Sequence, residues 1–249
     1  AQIYHMRWFE QTLPKDGSVK VEPFGMKLIG LSIAGPKARD LLQRLTDDDV
    51  SNDAFKFMDY REMEIATVRA KVNRVTYTGD LGYEIWVAPE YQMRLYQSIM
   101  AAGKDLGIRN FGMRALLCMR LEKNFGTWYR EFRPIYGPFE AGLDRFIKLD
   151  KPDFIGKAAA LKEKTEGPKK TRVFMVVDAT DSDVMGDEPI WVDGKVAGWV
   201  TSGGYGHYVD QSLAQGYLPT ELIKPGIQLE IEILGERRPA RLQMDPPFD

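Results

Sequence analysis

The spacing of hydrophobic positions changes along the chain. Up to about residue 161, short apolar runs alternate with one-sided helical stripes. Beyond residue 170, apolar residues fall in short runs separated by turn residues. Residues 3–12 read as a short helix carrying Trp8 and Phe9, and residues 14–25 as a polar loop. MKLIGLSIA (26–34) predicts a buried strand, and Gly35-Pro36 opens a helix with Ala38, Leu41, Leu42 and Leu45 on one stripe. Residues 64–77 and 82–88 predict two strands joined by a tight turn, with Gly79 and Gly82 supplying backbone freedom. Residues 91–102 predict a helix ending near Gly103. Asn110 is placed to N-cap another helix over 111–123. Residues 124–138 follow as an irregular segment rich in aromatics, arginine, glycine and proline, long for a loop in a compact domain, as functional loops are when ordered.

KEKTEGPKK, starting at Lys162, is charged and contains Gly167-Pro168, which reads as a linker. After it, TRVFMVV, PIWV, KVAGWVT, SLAQGYL and QLEIEIL predict short strands, with a hairpin at Asp193-Gly194. The expected class is α+β: an α/β domain over 1–161, then a small antiparallel barrel or sandwich over 170–249.

Composition narrows the function. The chain has 249 residues, 44% of them hydrophobic, which is enough to bury a core. With 34 basic and 36 acidic residues there is no cationic excess for nucleic acid. No apolar run approaches the ~20 residues of a membrane span, and no signal peptide opens the chain. It begins with Ala1, as a processed protein or a piece of a longer one would. One cysteine, Cys118, excludes an internal disulfide and suits a reducing compartment, a cytoplasm or the mitochondrial matrix. With only His5 and His207 beside it, no zinc site is expected.

Glu84 interrupts an apolar strand. It shares a strand face with Trp86, while Tyr83, Ile85 and Val87 share the other. It either points to solvent or lines a flat pocket, where a carboxylate accepts paired hydrogen bonds from an aminopyrimidine-like edge. Arg114 falls on a helical stripe with Leu117, Cys118 and Leu121, so its head either reaches water or meets an anion. Arg120 and Glu122 do not face each other on a helix and are expected to pair outside it. Cys118 reads as a small packing residue, TDDDV (46–50) as a solvated turn, and His207 as a loop histidine. TSGGYGHYVD (201–210) lacks dinucleotide-loop spacing, and no GxSxG, P-loop or HExxH motif is present.

Several stretches taken together resemble the glycine-cleavage T-protein (aminomethyltransferase) superfamily. They are RVTYTGDLGYEI, FGMRALLCMRLEKN, GPFEAGLDRFIKL and WVTSGGYGHYVDQSLAQGYLP, in the family's order over about residues 60–240. SIAGPKARDLL, FGTWYREFRPIYG and DFIGKAA are most similar to the folate-binding portion of dimethylglycine and sarcosine dehydrogenases. The resemblance implies a T-protein-like folate-binding domain, N-terminally incomplete, followed by the barrel. It implies tetrahydrofolate-dependent one-carbon transfer, with FAD confined to a longer parent protein or a partner oxidoreductase subunit. Alternatives are a non-catalytic folate-binding or assembly module, or a demethylase of another donor. By motif position Glu84 matches the glutamate on the pterin edge and Arg114 the arginine near the folate. Tyr83 matches the residue accompanying that glutamate, and Tyr77 and Trp128 are implied pocket-wall residues. The family's catalytic aspartate, in a G-G-x-x-D-D-like run, has no match here.

Overall fold

Alternating burial along four short strands builds the first sheet: β1 (Ile29–Ala34), β2 (Tyr60–Ile65), β3 (Val68–Asn73) and β4 (Gly82–Val87). They pair antiparallel in the order β1-β4-β3-β2. Ile33, Met63, Ile65, Val68, Ala70, Val72, Tyr83, Ile85 and Val87 point to one face. There they form a core with Ala38, Leu41 and Leu42 of helix α2 (Ala38–Gln43) and Leu95 and Ile99 of α3 (Gln92–Ala102). Leu45 packs at the edge of that core, so the predicted stripe on α2 is the buried one. The computed structural model describes residues 2–248. One unit takes the described residues to Thr76 and Asp80–Asn110, and a second takes Tyr77–Gly79 and the described residues from Phe111.

The strand expected over 64–77 is instead the second half of a hairpin. β2 ends at Ile65 and β3 starts at Val68, with Ala66 and Thr67 at φ 50° and 69°. Two successive left-handed residues are the type I′ turn that matches strand twist. Alanine and threonine do not announce it, so the sequence signal was absent. The link that contains Gly79 runs from 74 to 81 and is longer than a tight turn.

In the second unit, α4 spans Met113–Glu122 and α5 spans Lys157–Glu166. Asn110 does not cap α4. The N-cap is Gly112, without a side-chain bond, and the Asn110 amide donates to the Tyr96 hydroxyl at 2.9 Å within the first unit. Much of the expected linker is the last turn of α5, which stops at Gly167 with φ 81°. KAAALKEKTE is made largely of good helix formers, and that propensity outweighed the charge that suggested a linker.

Six strands close a barrel in the order β10-β5-β8-β7-β6-β9. They are β5 (Lys170–Val177), β6 (Pro189–Val192), β7 (Lys195–Gly206), β8 (Gln211–Pro219), β9 (Leu229–Ile233) and β10 (Glu236–Leu242). Val173, Met175, Val200, Ala214, Leu218 and Ile231 are part of its core. The Asp193-Gly194 hairpin forms with both residues at positive φ, 50° and 74°. β10, ERRPARL, was not foreseen because its charges hide the alternation. Leu234 and Gly235, at φ 52° and 86°, turn the chain into it, and it pairs with both β9 and β5 to close the barrel.

Thr67 tests the hairpin turn. A β-branched residue held at positive φ is strained, and the side chain is exposed. Thr67→Gly is expected to stabilise the protein by up to about 1 kcal/mol, the strain relief exceeding glycine's entropy cost. The urea midpoint should rise with unchanged slope. A lower midpoint would show that the turn is unstrained.

Candidate functional site

Glu84 sits on the sheet face turned away from the core. Register places Ser32 of β1 beside it on one side and Asn73 of β3 on the other. It is half-buried. Among the described residues, no hydrogen bond or ion pair to its carboxylate is found. Two residues along, Trp86 lies between Gly30 and Lys71. A Cβ on Gly30 would come within 2.9 Å of the indole, so glycine is what lets the ring lie against the sheet. Tyr83 points the opposite way. It is fully buried in the core against Phe55, with ring centres 5.7 Å apart, and its hydroxyl has no partner among the described residues. Its part is to anchor the strand that displays Glu84. Arg74, the first residue of RVTYTG, donates to the Phe55 carbonyl at 2.6 Å and to Asn52 at 2.8 Å, pinning that loop.

The stripe expected on α4 is buried only toward its C-terminal end, at Leu121 and in part at Cys118. Arg114 is exposed and Leu117 partly so, whereas Arg120, Leu121 and Glu122 are buried. Arg114 makes no hydrogen bond or ion pair among the described residues. Arg120 and Glu122 do pair outside their helix. Arg120 Nη1 donates to the Phe125 carbonyl (2.8 Å) and Gln215 Oε1 (3.2 Å), and stands 3.6 Å from Glu131 Oε2. Glu122 accepts the Tyr208 amide at 2.8 Å.

Glu131 is the hub of this network and has zero exposure. Its carboxylate accepts the Thr127 amide and the Ser202 hydroxyl, each at 2.7 Å, and its carbonyl accepts Tyr217 Oη at 2.7 Å. Gln215 Nε2 donates to Asn124 Oδ1 (2.9 Å) and the Phe125 carbonyl (3.2 Å). Arg172 of β5 donates to Asn124 and to the Ala141 carbonyl. The aromatic-rich segment is therefore fastened to α4 and to strands β5, β7 and β8. Tyr77 stacks on Phe125 with ring centres 6.1 Å apart and donates to the Gly126 carbonyl at 2.6 Å. Trp128 is 68% exposed and meets Phe132 edge-on. Tyr77, packed against the aromatic-rich segment, and Trp128, within it, thus belong to the second unit, while Glu84 and Tyr83 belong to the first. Glu131, Gln215 and Arg172 were not singled out in the sequence. The usable signal was Gln215, a polar residue inside the apolar run SLAQGYL.

The remaining candidates are structural. Gly203 is required because a Cβ there would lie 2.5 Å from the Val184 carbonyl, so the double glycine of TSGGYG serves packing. His207 is exposed and meets the Tyr205 ring edge-on. Burial, then the nearby Glu122 and Asp183, push the half-buried Cys118 thiol up, away from thiolate. Asp47, Asp48 and Asp49 are exposed in a turn where Asp49 accepts the Ser51 amide. Among the described residues no group of three acidic, histidine or cysteine side chains could hold a metal, and no helix is long and apolar enough to cross a membrane.

Comparison with known proteins gives this geometry a context. Residues 1–151 match the GCVT N-terminal domain, and residues 169–249 the glycine cleavage T-protein C-terminal barrel domain. Mouse mitochondrial dimethylglycine dehydrogenase is 41% identical over 99% of the chain, which spans 28% of that relative's length. Mouse mitochondrial pyruvate dehydrogenase phosphatase regulatory subunit is 31% identical over 98% of the chain and 30% of its own length. The crystal structure of aminomethyltransferase T from the glycine cleavage system of Bartonella henselae shares the fold. Its TM-score is 0.77 at 24% identity, over 88% of this chain and 59% of that one.

Two expectations follow from the network. Glu131→Ala strands the buried Arg120 charge, and removing one partner of such a pair costs about 3–5 kcal/mol. Urea unfolding should show that loss, and a loss under about 1 kcal/mol would mean the network is not holding the segment. Burial raises the Tyr217 phenol above its ordinary value. The neutral form is the one the fold favours, so this contribution is full below about pH 10 and is lost as pH rises through the raised folded-state value. The stability gap between wild type and Tyr217→Phe should therefore narrow above about pH 10. A gap that stays constant in urea titrations would contradict this.

Proposed function

The chain belongs to the glycine cleavage T-protein family, and on that premise we propose that Glu84 binds the pterin edge of a reduced folate. In this reading the chain serves tetrahydrofolate-dependent one-carbon transfer within a longer dimethylglycine or sarcosine dehydrogenase-like protein. The observation that supports it is the half-buried Glu84 carboxylate, without a partner among the described residues, on the open sheet face beside Trp86. A half-buried carboxylate with no protein partner keeps its acceptor capacity free for a donor. Two oxygens on a rigid strand suit two parallel N–H donors of a planar aminopyrimidine ring.

Tetrahydrofolate, when bound, supplies the nucleophilic nitrogen that receives the carbon unit. Glu84 orients it and does not transfer the proton. β4 is a central strand of its sheet, so the carboxylate is held with little freedom, and positioning of this kind is a major source of rate. Tyr83 serves indirectly, through the core packing that fixes the strand. Arg114, exposed and without a partner among the described residues, is carried as an anion contact of folate. Tyr77 and Trp128 are carried as aromatic contacts. The oxidation that generates the carbon unit belongs to an FAD-dependent domain or subunit, and the compartment is the mitochondrial matrix or a cytoplasm.

A second reading, a non-catalytic folate-binding or assembly module, gains support from the relative named as a regulatory subunit.

Calorimetry with folinic acid tests the first reading. The chain should bind it. Glu84→Gln should weaken binding roughly 10- to 150-fold, as expected for losing a charged hydrogen-bond acceptor worth about 1.5–3 kcal/mol. Equal affinity in the variant would remove Glu84 from the site. Binding that depends on Glu84, without carbon transfer by the full-length protein, would favour the second reading.

A further inference from the structure

The first sheet has two edges, β1 and β2, and they differ in chemistry. β2 (YREMEI) carries Arg61, Glu62 and Glu64, and Glu62 pairs with Lys71 and Arg69 of β3. Charges on an edge discourage pairing with another chain. β1 (IGLSIA) carries no charge and no proline, and its register with β4 is unbroken. Its free hydrogen-bonding groups follow from one contact. Gly35 donates to the Leu81 carbonyl at 2.8 Å, and the bonds alternate along an antiparallel pair. Ile29, Leu31 and Ile33 therefore turn their amides and carbonyls to β4, and Gly30, Ser32 and Ala34 turn theirs outward. Among the described residues, no hydrogen bond to those outward groups is found. Helix α1 (Gln2–Thr12) leaves them open. It lines a cavity on the outer face with Leu28, Trp86 and Lys71, and Gly30 and Ser32 remain exposed.

The core is also unfinished at this edge. Tyr83, Ile85 and Val87 of β4 are buried, but of the β1 residues opposite them only Ile33 is, and Ile29 and Leu31 stay partly exposed. A strand added at β1 would pair the free backbone groups and cover both side chains. We propose that this strand is β1 of a second copy, related by a two-fold axis, so that two four-stranded sheets join into one. The strand is self-complementary in that arrangement. With Ser32 opposite Ser32 of the second copy, Gly30 meets Ala34 and every outward residue finds a partner. Leu31 then faces Ile33 on the core side, while only glycine, serine and alanine meet on the outer side and leave room for close approach. The flanking Lys27 and Lys37 lie beyond the strand, where exposed like charges are largely screened at physiological salt. A two-fold contact uses the β1 edge of both copies, so assembly stops at the dimer. The ladder is six residues long, or ~20 Å, which places the contact at the small end of specific interfaces. The dimer is accordingly weak, with a Kd of roughly 10–100 µM. No ligand enters this contact, so it is independent of the folate reading.

Sedimentation velocity of the full chain from about 5 to about 500 µM, at physiological salt and without ligand, tests this. The wild type should pass from monomer to dimer across that range. Amide exchange at Gly30, Ser32 and Ala34 should slow by about threefold or more at the high concentration, and exchange in β2 should not change. Ser32→Lys puts a charge at the two-fold axis and should stay monomeric throughout. Ser32→Pro removes the central outward amide and should do the same. Ser32→Lys changes only an exposed side chain, so it remains informative if Ser32→Pro fails to fold. A wild type that is monomeric at every concentration overturns the inference and leaves the edge to a strand of a different chain. A dimer that persists in Ser32→Lys, a dimer without protection at those three amides, or assembly beyond two copies overturns it as well.

Discussion

Three parts of the second unit meet on one buried carboxylate. Glu131 takes hydrogen bonds from the backbone of its own segment and from Ser202 of β7, and stands beside Arg120 of α4. Taking two charges out of water carries a penalty of several kcal/mol per ion, offset only where hydrogen bonds fill the remaining valences. The geometry here meets that condition for the carboxylate. Gln215, Asn124, Tyr217 and Arg172 extend the network around it. An irregular segment with few backbone pairs of its own is thereby given one conformation, and Tyr77 and Trp128 are presented by it or against it.

Glu131 and Glu84 are both carboxylates removed from full solvent exposure, and their environments separate their roles. Glu131 has no exposure and a full set of donors, so its energy goes into structure. Glu84 is half-buried, with no partner among the described residues, on a sheet face rather than in a core. A carboxylate kept in that state is suited to a donor that arrives from outside. The same sheet face holds Trp86, and Lys71 in its ion pair with Glu62.

What could be read from the sequence followed local physics. Glu84 and Trp86 on one strand face, with Tyr83 on the other, came from the two-residue period and is what the register gives. The barrel came from turn chemistry at Asp193-Gly194 and from regularly spaced short strands. The misses share a cause, which is that tertiary context overrode a local signal. Ala66-Thr67 turns without glycine because the core fixes the strands on either side. β10 is a strand because the barrel needs a closing partner, although ERRPARL reads as polar. Arg114 lies on the correct period of α4, but the barrel buries the helix at its C-terminal turn, around Arg120 and Glu122. Glu131 is invisible to any period because its partners are up to 86 residues away in sequence.

The central claim is that the polar network holds the aromatic segment in place before any ligand arrives. Amide hydrogen exchange of the ligand-free chain measures this directly. The account predicts that the hydrogen-bonded amides of the segment, those of Phe125, Thr127, Glu131 and Phe132, exchange as slowly as the strands β7 and β8, through openings close to global unfolding. Exchange at the rate of a free loop would contradict it, and would mean that the segment takes its shape only when something binds.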